Sequence, residues 1–177
     1  MTVLNHLDIR HAQPDDAIHI SALIGRVVHH FLIHPSGMGA EAFMQSISPK
    51  AIEEYLHRDD FSYIVATMPL DQDQPEQGRQ VIGVAALRDD EHLYHLFVDP
   101  EWHRRGVAKQ LWAYLQSHAM QESGYKGYFT VNSSVYAVPV YQALGFYVLS
   151  KVEHKNGIAF VPMRWSVERP EINILCD

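Results

Sequence analysis

The first candidate functional site in this sequence is a basic loop with one glycine. It lies between an apolar segment and an amphipathic one. Arg104, Arg105 and Lys109 surround Gly106 in this loop. From Val107 onward the apolar residues recur at helical spacing, so a helix is predicted to begin there with free backbone N–H groups in its first turn. These N–H groups, the positive end of the helix dipole and the three cations suit a phosphate or pyrophosphate. Gly106 leaves out a side chain where a phosphate must come closest to the backbone.

The segment before the loop is expected to hold it in place. Residues 93–98 (LYHLFV) form an apolar run that is typical of a strand, and Pro100 ends it because proline has no N–H for the ladder. A strand, a loop and a helix in this order could bind phosphate in several ways. The dinucleotide pattern GxGxxG and the Walker pattern GxxxxGK[ST] both fail, since Gly106 is the only glycine in the loop.

A third pattern fits the loop. Residues 103–108 (HRRGVA) match [Q/R]xxGx[G/A] except that His103 stands where Gln or Arg is usual, and residues 137–146 (AVPVYQALGF) match A-x-x-x-Y-x-x-L-G-F. In both motifs this chain resembles the GNAT superfamily of N-acetyltransferases, whose first motif binds acetyl-CoA. The resemblance covers residues 81–165, and it implies that acetyl-CoA is the cosubstrate.

The resemblance also implies roles for individual residues. Backbone N–H groups near Leu96, Phe97 and Val98 would polarise the thioester carbonyl, and Tyr141 would protonate the departing thiolate. Many members carry Asn at the position of Ser134, where the side chain meets the pantetheine arm; Asn132 could substitute here. The cofactor loop itself would be His103, Arg104, Arg105, Gly106, Val107, Ala108 and Lys109.

A base that takes a proton from the acceptor amine is expected on the strand before the loop. Family positions for such a base correspond to His92 and Tyr94, and His92 is the choice because an imidazole with pKa near 6.5 is half protonated near neutral pH. Glu91 is the runner-up. Strict alternation would place His92, Tyr94, Leu96 and Val98 on one face of the strand and Leu93, His95 and Phe97 on the other; His95 is interpreted as a packing residue.

The acceptor pocket is expected to come from the first helices, the loop of residues 31–43 and the last hairpin. Glu41, Glu53 or Glu54 could contact a cationic amine, although charged helix residues are more often simply solvated. The resemblance implies that the acceptor is a primary amine of a small molecule or peptide, which attacks the thioester directly in a ternary complex. A non-catalytic acyl-CoA-binding module and an O-acetyltransferase are the alternatives.

Composition limits the other function classes. A net charge of −7 argues against nucleic acid as a partner, and no apolar run reaches the length of a membrane span. The single cysteine, Cys176, excludes an internal disulfide framework and suits the cytoplasm. Twelve histidines raise the question of a metal site, but His92 and His95 are expected on opposite faces, so no metal is predicted. A homodimer is possible.

The order of predicted elements gives the fold class. A strand (6–10) and two or three helices precede three strands (61–68, 80–88 and 92–98), a helix (106–121), a strand (127–131), a helix (136–144) and a final hairpin (146–152 and 158–165). The prediction is an α/β fold, a GNAT-like three-layer sandwich whose mixed, mostly antiparallel sheet splays at the cofactor site. Residues 1–166 are expected to form one domain, with 167–177 as a tail.

Overall fold

A computed structural model of the protein describes residues 6–71, 74 and 76–168. In this part of the chain, helices and strands alternate largely as the sequence predicts. The helices are α1 (Ala17–Val27), α2 (Glu41–Ser46), α3 (Pro49–Leu56), α4 (Val107–Ala119) and α5 (Val138–Ala143). The strands are β1 (Asp8–His11), β2 (Phe61–Pro69), β3 (Arg79–Arg88), β4 (His92–Val98), β5 (Tyr128–Ser133), β6 (Tyr147–Val148), β7 (Glu153–Lys155) and β8 (Ile158–Ser166).

The strands form a mixed sheet in the order β1-β2-β3-β4-β5-β8-β6, with β7 paired to β8 outside this order. All neighbours are antiparallel except β4 and β5, because α4 crosses over between them and returns the chain in the same direction. One apolar core lies between the sheet and α4, and a second lies between the sheet and the pair α1 and α3. The predicted three-layer α/β sandwich is confirmed.

Gly83 on β3 sets how closely α4 approaches the sheet. A Cβ at this position would lie 2.9 Å from Cδ1 of Leu111 and 3.2 Å from Cγ1 of Val107. The first turns of α4 therefore pack directly on the β3 backbone, which fixes the distance between the sheet and the loop that precedes the helix.

A β-bulge at Tyr94 overturns the strict alternation expected for β4. Ala86 pairs with His95 and Leu87 with Leu93, so Tyr94 is the extra residue on the β4 side. Leu93 consequently belongs to the α4 core, whereas Tyr94 and His95 both lie with the aromatic side chains on the α1 and α3 side. His92, Tyr94, His95 and Phe97 share this face, and Leu96 and Val98 pack on the opposite one.

The strands β4 and β5 separate soon after they meet. They pair only at His92 with Thr130 and at Leu93 with Val131, after which β4 continues along β3 without β5. The predicted splay is confirmed, and residues 96–98 line the gap.

The strand predicted for residues 146–152 is wrong: β6 spans two residues and β7 begins at Glu153. Pro162 in the partner strand β8 explains the interruption, because it has no N–H to donate; its carbonyl accepts a hydrogen bond from the N–H of Leu149 at 2.9 Å. The Asn156-Gly157 turn is confirmed, with φ of +48° and +72° as a type I′ turn requires.

Cys176 and most of the predicted tail fall outside the described residues. Among the helices of the described part, none is long and apolar enough to span a bilayer.

Candidate active site

A groove of about 610 Å³ opens where β4, the loop before α4 and α5 meet. Its lining includes most of the predicted cofactor residues: Leu96, Phe97, Val98, His103, Arg104, Gly106, Val107, Ala108, Lys109 and Ser134. The fold therefore brings both sequence motifs to one cavity, since Tyr141 of the second motif also lines it.

The loop before α4 presents backbone donors to this groove. Arg104 and Gly106 adopt left-handed φ of +57° and +84°, and the first N–H bonded to a backbone carbonyl in this region is that of Gln110, which donates to Gly106 at 3.1 Å. Within the described residues, the N–H groups of 104–109 have no acceptor, and the three cations of the loop form no ion pair. This set of free donors and unpaired positive charges fits a pyrophosphate.

Two predicted cofactor-binding side chains form hydrogen bonds that order the loops around the groove. Nε2–H of His103 donates to the carbonyl of Val98 at 2.8 Å, which joins the start of the loop to the end of β4. Ser134 is buried, and its hydroxyl accepts from the N–H of Ala137 at 3.2 Å. Ser134 thus caps the helical turn that leads into α5 while lining the groove.

A second cavity of about 370 Å³ lies between α2, β4, β5 and the final hairpin. The two cavities share Phe31, Leu96, Phe97 and Tyr141, so Tyr141 stands where they meet. The hydroxyl of Tyr141 has no hydrogen-bond partner among the described residues. Burial raises the pKa of this phenol well above its ordinary value of 10.0, which keeps the proton on the oxygen at physiological pH.

Residues 31–167 match the family model described as the acetyltransferase (GNAT) domain. The chain belongs to this family. It is an acyltransferase that depends on acetyl-CoA, and the two motifs predicted this correctly. No curated protein matches the chain significantly in sequence.

Solved structures of acetyltransferases share the fold. A GCN5-related N-acetyltransferase from Rhodopseudomonas palustris superposes with a TM-score of 0.71 at 20% identity, covering 94% of this chain and 99% of that one. The PaiA N-acetyltransferase from Thermoplasma acidophilum, in complex with coenzyme A, gives 0.60 at 17% identity over 90% and 98%. The SpeG spermidine N-acetyltransferase from Vibrio cholerae gives 0.59 at 14% identity over 91% and 94%. Because these identities are low, the similarity shows a shared fold and nothing more.

His92, the predicted base of this acetyltransferase, lines the second cavity, and its Nδ1 lies 2.8 Å from Oγ1 of Thr130. Burial, reinforced by the charge of Arg88, lowers the pKa of His92 from 6.5 to about 4. The expectation that His92 titrates near neutrality is therefore wrong, because desolvation disfavours the imidazolium. At pH 7 the ring is neutral and one nitrogen is free of a proton. Its catalytic role stays a prediction.

Glu91, the alternative base, is engaged elsewhere. Its carboxylate pairs with Nζ of Lys126 at 2.5 Å, and this hydrogen bond lowers the pKa of Glu91. Glu91 lines neither cavity.

Several other candidates are placed differently from expectation. Asn132 lines the second cavity and not the cofactor groove, so its proposed contact with pantetheine finds no support in this arrangement. Glu41, Glu53 and Glu54 line neither cavity, and the carboxylate of Glu41 accepts from the N–H of Gly39 at 3.0 Å. Arg105 does not line the groove; its guanidinium lies 4.8 Å from the ring centre of Trp102, which does.

Two aromatic contacts at the site were missed from the sequence. His30 and Tyr136 stack with ring centres 3.9 Å apart and an angle of 2°, and both line the cofactor groove. The buried His95, interpreted as packing, forms a hydrogen bond through Nδ1 with the hydroxyl of Tyr63 at 3.0 Å and also lines the second cavity. In the sequence, the only sign of either contact was a histidine or tyrosine within a largely apolar segment.

Proposed function

We propose that this acetyltransferase transfers the acetyl group of acetyl-CoA to a primary amine by direct attack within a ternary complex. The observation that carries the proposal is the position of Tyr141, whose unpartnered hydroxyl stands at the junction of two cavities. One cavity has the donors for a pyrophosphate, and the other is open to a second substrate. Both substrates can then be present together, with the reacting atoms beside the phenol.

Each part of the cofactor has candidate partners along the groove. The free N–H groups of residues 104–109, with Arg104 and Lys109, would hold the pyrophosphate. The pantetheine arm would run past Ser134 towards the gap between β4 and β5. Backbone at Leu96 to Val98, where β4 has no β5 partner, would polarise the thioester carbonyl.

The transfer has two proton steps. The amine nitrogen forms a bond to the thioester carbon, the carbonyl electron pair moves onto oxygen, and collapse of this intermediate breaks the C–S bond. The nitrogen proton passes to Nε2 of His92, which is unprotonated when Nδ1–H donates to Oγ1 of Thr130. The thiolate takes the hydroxyl proton of Tyr141, and both residues return to their resting states by exchange with solvent.

Kinetics with purified protein test this proposal. Coenzyme A should raise the melting temperature, and thiol release from acetyl-CoA should depend on an added amine. Initial velocities against both substrates should give intersecting lines, as a ternary complex requires, and Cys176→Ser should leave the rate unchanged. Parallel lines would indicate a covalent acyl-enzyme and refute direct attack.

Binding of acetyl-CoA without thiol release across a broad amine and alcohol panel would favour the non-catalytic binding module. Release only with alcohols would favour O-acetyl transfer. The cytoplasmic location, the homodimer and the domain boundary at residue 166 stay predictions.

A further inference from the structure

The second cavity, which under the proposed function receives the acceptor, contains no acidic side chain among its described lining residues. Aromatic side chains form much of its walls, among them Phe31, Phe43, Tyr94, Phe97 and Phe160, and neutral polar side chains also line it: Ser46, His92, Asn132 and Asn156. Among the lining residues that the structure describes, the one formally charged residue is Lys155, which is exposed at the tip of the final hairpin. A cation entering this cavity would lose water without gaining a carboxylate partner.

His95 adds a polar group at the wall of the same cavity. Only 5% of this residue is exposed, and Nδ1 lies 3.0 Å from the hydroxyl of Tyr63. Tyr63 is buried and its hydroxyl has no other partner in the described chain, so the phenol must donate to Nδ1 for its proton to be satisfied. The neutral imidazole then carries its proton on Nε2, which has no hydrogen-bond partner among the described residues.

The cavity therefore presents aromatic walls, neutral polar groups and two groups that can only donate, but no anion among its described lining residues. Nε2–H of His95 and the ammonium of Lys155 can each donate to an oxygen, and neither can accept from an ammonium. We propose, building on the function proposed above, that the acceptor is an amine on an aromatic or aliphatic body that carries a carbonyl or carboxylate oxygen. A polyamine is the opposite case, because each of its further ammonium groups would meet aromatic rings, neutral polar groups or Lys155 and no carboxylate among the described lining residues.

A set of matched amines separates these features. Phenylalanine has a carboxylate, phenylalaninamide a neutral carbonyl, phenethylamine no oxygen, and spermidine several charges. Thiol release should give a kcat/KM for phenylalanine and phenylalaninamide at least about tenfold above that for spermidine. Phenethylamine should show a KM about tenfold higher than phenylalaninamide, which is the usual effect of losing one hydrogen bond to a polar site.

Two variants test which substrate oxygen each of the two donors, His95 and Lys155, binds. His95→Asn keeps an acceptor near the Tyr63 hydroxyl but removes Nε2–H, so it should raise KM for phenylalaninamide and leave phenethylamine unchanged. Lys155→Met should raise KM about tenfold for phenylalanine alone, because only that substrate has a carboxylate. Lys151→Met is the matched control, since Lys151 is exposed nearby in the chain and lines neither cavity. Protection by coenzyme A verifies that each variant is folded.

The outcomes separate this inference from the function on which it rests. A higher kcat/KM for spermidine would overturn the acceptor class while leaving amine acetylation intact. Equal effects of Lys155→Met on phenylalanine and phenethylamine would overturn the role of Lys155. Failure of all four amines would overturn the acceptor class, and the broad panel described above would then decide separately whether the protein is an acetyltransferase of amines.

Discussion

Acidification should destabilise this protein more than its His95→Asn variant. Burial lowers the pKa of His95 from its ordinary 6.5 to about 3, whereas the imidazole of the unfolded chain takes up a proton near 6.5. Between these two values the unfolded state binds more protons than the folded state. Stability is then highest above pH 6.5 and falls as the pH is lowered through the window from 6.5 to 3.

The size of the effect follows from the width of the window. At pH 4.5, two pH units below the unfolded value, the folded His95 is still neutral. Each unit corresponds to about 1.4 kcal/mol, so His95 alone should cost the wild type about 3 kcal/mol between pH 7.5 and 4.5. The variant also loses packing, but this loss is present at every pH and does not enter the difference.

Urea unfolding followed by tryptophan fluorescence, at pH 7.5, 6.5, 5.5 and 4.5, measures this difference. Other groups contribute to the pH dependence, among them Asp16 and Glu91, whose lowered pKa values make acid destabilising, but they are common to both proteins. Between pH 7.5 and 8.5 the two proteins should change in parallel. Equal losses down to pH 4.5 would mean that folded His95 takes up its proton near the pKa of the unfolded chain, and the lowering of the His95 pKa by burial would be wrong.

Three substitutions test other parts of the site. Tyr141→Phe should lower kcat roughly tenfold to a thousandfold with little change in the Kd for acetyl-CoA, because it removes only the proton for the thiolate. His92→Gln should lower kcat at every pH from 6 to 9 without moving the profile, since the pKa of His92 is about 4 and its own titration lies below that range. Gly157→Ala should raise KM for the amine and lower stability by about 2 kcal/mol, because its Cβ would lie 2.3 Å from the carbonyl carbon of Gly39, in the loop beside the second cavity.

Gly37→Ala is the control for Gly157→Ala. Gly37 has φ of +75°, close to the +72° of Gly157, but a Cβ there would meet no atom within 4 Å. The two variants carry similar backbone strain, and the difference between them isolates the close approach of the hairpin to the loop. Equal destabilisation by the two substitutions would show that the close approach of Gly157 to Gly39 does not affect stability.

For Tyr141→Phe an unchanged kcat would remove the phenol from the mechanism, and for His92→Gln a shifted pH profile would show that His92 titrates near neutrality.

The order of the elements along the chain and the helix positions could be predicted because local signals decided them. Pro100 ended β4, the helical period from Val107 began α4, and Asn156-Gly157 set the last turn. The bulge at Tyr94 had no comparable signal. Two residues of β4 face one of β3 there, so the irregularity belongs to the pairing of two strands and not to either sequence alone.

The cofactor groove was predictable residue by residue, whereas only some of the elements that line the second cavity were predicted, the loop of residues 31–43 and the last hairpin; both results have the same physical reason. A phosphate site uses backbone N–H groups of a contiguous loop, and residues 103–108 specify that loop locally. The second cavity is assembled from α2, β4, β5 and the final hairpin, so its lining depends on the tertiary fold. The low pKa of His92 is likewise a consequence of burial, which a strand pattern of alternating residues cannot measure.

Under the proposed mechanism, the low pKa of His92 also restricts which form of the amine can react. An alkyl ammonium has a pKa near 10.4, and moving its proton to an imidazole with pKa about 4 would cost roughly 9 kcal/mol. An α-amino group, with pKa near 8, would cost roughly 5 kcal/mol, and an appreciable share of it is already neutral at pH 7.5. A cavity with no carboxylate in its described lining favours the neutral amine further. His92 then needs to accept a proton only after the C–N bond has formed and made the nitrogen strongly acidic. An α-amine beside a neutral carbonyl therefore suits both the weak base His92 and the two donors of the cavity.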